Sequence, residues 1–273
     1  MKPILAILHD DAASAAEQTL AAMLARQYSA APDIADVLVV VGGNSRMLRA
    51  LHEWSGSSKR LFGLSATEAA FLTNPRRSGP LHTRIARSRA AVVAPLVASI
   101  DRGSDERIVA FNEIAVSRAS HRMIVIDVLI GGVHQIRLRG DGVLLATPFG
   151  STAYNRSAGG PVIPLQAKVL ALTPIALADP LRWRGALLPF NRRVTFRVDM
   201  HAGGPAQVTA DHLAGRPIRE VTVSTDERRA VTLLFDPELD LNERQLLAQF
   251  SSEAEPALWF KHQLIEHRRS PNR

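Results

Sequence analysis

Short apolar runs alternate with amphipathic stretches through the first third of the chain, the pattern of strand, helix and strand in a parallel sheet. Residues 4–8 read as a buried strand. Residues 12–28 place Leu20, Met23, Leu24 and Tyr28 at helical spacing, with Glu17, Gln18, Arg26 and Gln27 mostly on another face. The β-branched run 36–41 predicts a second strand ending in Gly42-Gly43, residues 45–54 a second helix, and 61–64 a third strand. Past about residue 90 the pattern changes. Apolar runs at 89–100, 108–116, 123–130 and 134–138 are separated by turn residues, and Gly131-Gly132 between the last two is a hairpin signal. Runs at 193–198, 207–210, 219–223 and 231–235 continue the series, so this second region is predicted to be mostly β. The last segment, 242–267, starts with helical character and carries an apolar patch, Leu258, Trp259 and Phe260, that needs a surface to dock on; 268–273 is expected to be disordered.

Composition narrows the classes. The 273 residues, 46% hydrophobic and 22% charged, suffice for one large domain or two modest ones with a real core. The absence of cysteine removes disulfides, thiolate zinc sites and cysteine nucleophiles together, and fits a reducing, cytoplasmic setting. The apolar start of the chain is too short for a signal peptide or a membrane span, so no membrane association is expected. A net charge of +7 attracts anions without naming them. Arginines are scattered (Arg84, Arg87, Arg89; Arg182, Arg184; Arg192, Arg193) with few aromatics to stack bases, which argues against nucleic acid as a partner. No residues are singled out as metal ligands.

Gly42-Gly43 followed by Asn44-Ser45-Arg46 is a strand, a glycine turn and a helix start. Such a turn lets backbone N–H groups approach a phosphate, and the helix N-terminus adds partial positive charge; Gly-Gly after a buried strand is equally often only a tight turn. Many phosphoryl-transfer sites need a carboxylate here to accept a hydroxyl proton or hold Mg²⁺, and an amide does neither well. Arg46, one turn into the helix, is a candidate phosphate contact. In a second place, Asn112-Glu113 interrupts an apolar run. A carboxylate can accept two hydrogen bonds from a ribose diol and an adjacent amide can read a base edge, while the pair alone fits a solvated strand end as well.

The densest string spans 139–161. It holds Gly140-Asp141-Gly142, expected to be a turn, then a short apolar strand, a Pro148 loop, and Gly150-Ser151-Thr152-Ala153-Tyr154 opening a helix with Ser151 or Thr152 as N-cap. Small residues let a ligand lie against backbone, Tyr154 can border an adenine, and Thr152 and Ser157 supply hydroxyls. So many small polar residues in a row bury poorly unless a ligand needs the space.

This string resembles the signature of the NAD kinase family: Gly-Asp-Gly, Ser/Ala-Thr-Pro-x-Gly-Ser-Thr-Ala-Tyr, then Ser-x-Gly-Gly-Pro. Asn112-Glu113 falls at the family's Asn-Glu motif and Gly42-Gly43 at its Gly-Gly-Asp-Gly loop. The segments 71–74, 172–176, 208–212 and 242–244 also resemble it, so the similarity covers nearly the full chain. The resemblance implies a Rossmann-like α/β domain over 1–90, to which 242–273 returns, and a β-sandwich dinucleotide-binding domain over 91–241. It implies transfer of the γ-phosphate of ATP, or of polyphosphate, to the 2′-hydroxyl of NAD⁺ with Mg²⁺, giving NADP⁺, in a homodimer or homotetramer. Carried over by position, Asn112, Glu113, Asp141, Thr152, Ala153, Tyr154, Ser157 and Ala176 would line the dinucleotide site, with Asp211 and His212 near it.

The departures are directional. The family's loop aspartate is its catalytic carboxylate, and this chain has Asn44 there, followed by Ser45 and Arg46. The family's Asn-Arg-Gly type loop before Gly-Phe-Leu is replaced by residues 64–72. Both changes fall on the phosphate-donor side. Two readings result: a kinase with impaired chemistry, or a non-catalytic NADP(H)-binding regulatory or sensor protein in which Arg46 and Asn44 hold a 2′-phosphate.

Overall fold

The computed structural model describes residues 2–10, 13–67, 70–101 and 107–250. The patch Leu258, Trp259 and Phe260, the tail 268–273 and Glu68-Ala69 of the 64–72 loop lie outside the described residues. Contacts divide the chain into two units, Met1–Val92 with Val231–Arg273, and Val93–Ala230.

In chain order the first unit runs β1 (Leu5–Leu8), α1 (Ala15–Ala25), β2 (Val37–Val41), α2 (Asn44–Glu53), β3 (Arg60–Leu64), α3 (Leu81–Arg87) and β4 (Arg89–Val93). Helix α1 starts where Ser14 and Glu17 form a reciprocal capping box. Leu20, Ala21 and Leu24 then pack on Val37, Val39, Val41, Phe62 and Leu64, joined by Leu81 and Ile85 of α3. Met23, expected on that buried stripe, is exposed, and Ala21 takes the position. Helix α2 lies against the other face of the sheet, where Gly63 leaves room for Met47: a Cβ there would meet Met47 Sδ at 2.7 Å.

The second unit contains β5 (Leu96–Ile100), β6 (Arg107–Ala110), β7 (Glu113–Arg118), β8 (Ile124–Ile130), β9 (Val133–Ala146), α4 (Tyr154–Ser157), β10 (Val169–Asp179), β11 (Ala186–Pro189), β12 (Val194–Val198), β13 (Ala206–Ala210), β14 (Leu213–Ile218) and β15 (Glu220–Thr225). The chain then re-enters the first unit with β16 (Val231–Phe235) and α5 (Leu241–Ala248). Re-entry thus comes at Val231, ahead of the 242 read from the sequence, because β16 pairs in parallel with β3 and the first sheet is ordered β1-β2-β3-β16-β4. The buried Asn74 side chain holds that junction, donating to Gly63 O and Leu234 O, both at 3.0 Å, and accepting from Asp236 N–H at 2.8 Å. Arg244 of α5 donates to the carbonyls of Ala70, Phe71 and Thr73 at 2.9, 2.6 and 3.0 Å, tying the helix to the loop after β3.

The run 89–100 is two strands, β4 in the first sheet and β5 in the second, separated at Ala94-Pro95, where proline cannot donate to a ladder. All eleven strands from β5 to β15 belong to one sheet that curls over a common core, each contributing at least one residue, which is the buried interior that the expected sandwich requires. Gly131 and Gly132, at φ +59° and +86°, make the tight β8–β9 hairpin. Gly140-Asp141-Gly142 is not a turn. It lies inside β9, which runs unbroken for 14 residues and pairs with β7, β8 and β10. The glycines are there for close approach: a Cβ on Gly142 would meet Val116 O at 2.4 Å, and one on Gly140 would meet Ala176 O at 2.8 Å. On the opposite face of β7, β9 and β10, Ala115, Leu144, Ala146 and Ala171 receive Ile163, seating the loop 147–163.

Candidate functional site

The loop after β9 and the corner between β6 and β7 hold each other by backbone and buried hydroxyls. Thr147 Oγ1 donates to Phe111 O at 2.6 Å and accepts from Gly150 N–H at 2.9 Å, while the Thr147 N–H donates to Asn112 O at 3.0 Å. Gly150 packs so closely on this corner that a Cβ would lie 2.1 Å from Asn112 O. From the turn between β13 and β14, Asp211 accepts from Phe111 N–H at 2.7 Å and Asn112 N–H at 2.9 Å.

Ser151, expected as a helix cap, instead ties the loop to its far end. Its Oγ donates to Pro148 O at 2.7 Å and accepts from Ile163 N–H at 2.9 Å. The helix expected at 150–154 is a 3-10 turn, Phe149–Thr152, followed by the single turn α4, which has no side-chain cap. Buried Asn155 donates to Ser151 O at 3.1 Å and Pro161 O at 2.9 Å and accepts from Thr173 Oγ1 at 2.6 Å. Part of the polar string is therefore satisfied within the protein and needs no ligand to justify its burial, which corrects the sequence argument. Gly160 permits this network, since a Cβ there would sit 2.2 Å from Asn155 Oδ1. Thr147 and Asn155 are structural members of the candidate site to which the sequence reading gave no role, and Gly150, read as room for a ligand, is instead filled by the Asn112 backbone; their signal was the run of small and polar types itself.

What remains outward-facing is a set of candidate contacts. Thr152 and Ala153 are half-buried, and Tyr154 and Ser157 are exposed on α4. Glu113, at the start of β7, is buried, and its Oε2 has no hydrogen-bond partner among the described residues. Burial, and behind it the charge of Asp211, push this carboxyl up to about 8, against the backbone N–H of Tyr154, which favours the ionised form. An unpartnered buried acid is costly unless the site uses it.

Asp141 and Ala176 stand apart from that group. Glu113 pairs with Ala146 of β9, whereas Asp141 lies five residues back along the strand, about 17 Å at the usual strand rise. Asp141 is engaged by Arg118 Nε at 2.8 Å, and exposed Ala176 faces the same stretch of β9 from β10 in the left-handed region, φ +43°. His212 is exposed next to Asp211.

In the first unit, Gly42 adopts φ +150°, and its missing Cβ leaves the space that Arg46 Cβ, 2.8 Å away, would contest. Gly43 is the N-cap of α2 with no side-chain cap bond, so the first N–H groups of this helix are open to an anion. Asn44 is exposed, and its Oδ1 accepts from Leu72 N–H at 2.8 Å, which leaves the NH₂ group as its remaining function. Arg46 is not the free phosphate contact expected. It is buried, with Nε 2.8 Å from Asp10 Oδ1 and Nη1 3.2 Å from Glu53 Oε2. The spacing that puts Arg46 one turn into α2 also puts it over Glu53 two turns on and beside the end of β1, and two carboxylates hold a guanidinium there. Arg49 also pairs with Asp10.

Residues 111–211 match the family model for the ATP-NAD kinase C-terminal domain. An NAD kinase from Xylella fastidiosa (strain 9a5c) is 40% identical over 242 residues, covering 88% of this chain and 93% of its own length. An NAD kinase from Caulobacter vibrioides is 40% identical over 240 residues, covering 87% and 92%. Among solved structures, yeast NADH kinase complexed with NADH superposes with a TM-score of 0.72 at 17% identity, covering 92% of this chain and 88% of that one. An NAD kinase from Archaeoglobus fulgidus in complex with ATP gives 0.70 at 22% identity, covering 89% and 98%. No helix among the described residues is long and apolar enough to cross a membrane.

Proposed function

Since the chain belongs to the NAD kinase family, we propose that its second unit binds NAD(P) between Asn112 and Ser157 and that it transfers the γ-phosphate of ATP, or of polyphosphate, to the 2′-hydroxyl of NAD⁺ with impaired chemistry. The observation that carries the binding part is Glu113: a buried carboxyl with one oxygen unpartnered, beside the small-residue loop and exposed Tyr154. In this reading Asn112, Glu113, Thr152, Ala153, Tyr154 and Ser157 contact the dinucleotide, Asp141 and Ala176 serve a more distant part of it, and Asp211 and His212 support the corner. Gly42, Gly43 and the open end of α2 take phosphate.

Impairment follows from Asn44. Its carbonyl oxygen is occupied by Leu72 N–H, and an amide cannot accept a proton from a ribose hydroxyl. The loop does not fit Mg²⁺ by itself either, because Asn44 replaces a carboxylate and Asp10 is engaged by Arg46 and Arg49. Mg²⁺ belongs to this reading only as the counterion of the phosphate donor. The same loop favours the second reading, a non-catalytic NADP(H)-binding regulator or sensor, since the Asn44 NH₂ and the helix N–H groups suit a 2′-phosphate that an aspartate would repel. A cytoplasmic homodimer or homotetramer accompanies either reading; the lack of cysteine agrees with a reducing compartment.

The test is NADP⁺ formation from NAD⁺ with Mg²⁺-ATP or polyphosphate, wild type beside Asn44→Asp. A slow wild type accelerated at least about tenfold by the restored carboxylate is expected, since general bases typically contribute about 10²- to 10⁴-fold. Absence of turnover in both proteins, with NADP(H) still bound, would overturn the kinase reading in favour of the regulator.

A further inference from the structure

A cleft of about 600 Å³ lies within the first unit, between the second half of α1 and the stretch that runs from the end of β3 through residues 76–79 into α3. Its floor is apolar, formed by Leu24, Leu64 and Leu81, which belong to the core of this unit. Its other walls carry three arginines, and they are not equivalent. Arg84 is fixed: its Nε and Nη2 donate to Asp236 Oδ1 and Oδ2 at 3.2 and 2.6 Å, Nη2 also donates to Pro75 O at 2.9 Å, and the guanidinium lies 5.3 Å over the Phe62 ring. Arg77 pairs with Glu238 at 3.1 Å, both side chains being exposed. Arg76 is exposed and has no partner among the described residues. Neither Asp236 nor Glu238 lines the cleft, and among the described residues no other acid does. A hollow of the size that small ligands fill, with an apolar floor, cations on its walls and no acid, is complementary to an anion that carries an apolar body.

We propose that this cleft binds a small organic anion: a carboxylate, sulfonate or phosphate group held by Arg76 and Arg77, with an aromatic or aliphatic body laid on Leu24, Leu64 and Leu81. Arg76 supplies the unanswered charge. An exposed ion pair such as Arg77–Glu238 is weak, so Arg77 can turn its planar fork to share the anion, while Arg84 stays with Asp236 and keeps the wall in shape. None of these residues belongs to the dinucleotide or phosphate sites proposed above, and the proposal stands independently of that reading.

Calorimetric titration of the full chain with 1-naphthoate, and with neutral 1-naphthamide of the same shape, tests this on wild type, Arg76→Gln and Met23→Glu. Both substituted residues line the cleft and are exposed, so both variants are expected to fold. Wild type is expected to bind naphthoate saturably and about tenfold or more tightly than the amide. Arg76→Gln is expected to lose most of that preference, and Met23→Glu, which sets an acid on the lining, to weaken naphthoate by about tenfold. Saturating NADP⁺ is expected to leave naphthoate binding unchanged. Absence of saturable naphthoate binding, equal affinity for the acid and the amide, wild-type behaviour in both variants, or displacement of naphthoate by NADP⁺ overturns the proposal.

Discussion

A carboxyl buried beside another acid has a consequence for stability as well as for binding. Glu113 is raised from 4.5 to about 8 in the folded protein, so between those values the native state holds a proton that the unfolded chain has released. Stability therefore falls as pH rises from about 4.5 to about 8, and the full penalty is present above that range. Glu113→Gln removes the ionisation and keeps the shape. It is expected to be more stable than wild type at pH 8, by on the order of 3 kcal/mol or roughly 6 °C in Tm, with the gap closing near pH 5. Thermal melts at the two pH values check this; a gap of equal size at both would show that Glu113 is not held protonated. At this scale the sequence is readable only in part. Residue type and motif place Glu113, but the acid whose charge acts on it, Asp211, is about a hundred residues away along the chain, and Arg46 looks like a free cation until Asp10 and Glu53 are seen on it.

At the scale of elements, β-strands and helices were legible where periodicity carried them: β1, β2, β3, α1 and the β8–β9 hairpin fall where the pattern predicts. Boundaries failed where one signal has two structural meanings. Gly-x-Gly marks a turn when φ is positive and close strand packing when it is not, and Gly140 and Gly142 belong to the second case. Helix α3, short and carrying Arg84 and Arg87, gave no apolar stripe strong enough to read. The string 139–161 stands out in the sequence as a candidate site, but which of its residues hold the loop together and which face outward is not readable there. Gly150 makes the difference testable. Its absent Cβ is what lets the loop lie on Asn112, with the Asn112 carbonyl carbon at 2.3 Å from where that atom would be. Gly150→Ala must push the two backbones apart, at about 1–3 kcal/mol of stability. Because the displaced corner carries Asn112 and Glu113, NADP⁺ affinity is expected to drop about tenfold or more, a loss of about 1.4 kcal/mol or greater. Wild-type affinity in a correctly folded Gly150→Ala protein would sink the idea that this close packing sets the site.

Across the whole chain, the two units differ in how they are assembled from sequence. Residues 93–230 are one continuous segment containing all eleven strands of the second sheet and its core. The first unit is discontinuous. Its sheet needs β16 between β3 and β4, and Asn74 reaches that strand and the residue after it, Leu234 O at 3.0 Å and Asp236 N–H at 2.8 Å. Sequence periodicity could not see this, because the run 231–235 is as apolar and β-branched as the antiparallel strands before it, and only its partner differs. The asymmetry predicts opposite fates for two fragments. A chain of residues 93–230 should fold alone, because among the described residues the ladders of its sheet and the cluster at its core are formed by its own strands. A chain of residues 1–92 should not, because the buried Asn74 side chain loses Leu234 O and Asp236 N–H, and β3 loses its β16 partner and becomes an open edge. Circular dichroism and amide-proton dispersion read this directly: dispersed β-type spectra for 93–230 and a collapsed, undispersed 1–92 are expected. A well-folded 1–92 beside an unfolded 93–230 would mean that the first sheet does not depend on β16 and that the second unit is held by something outside its own core.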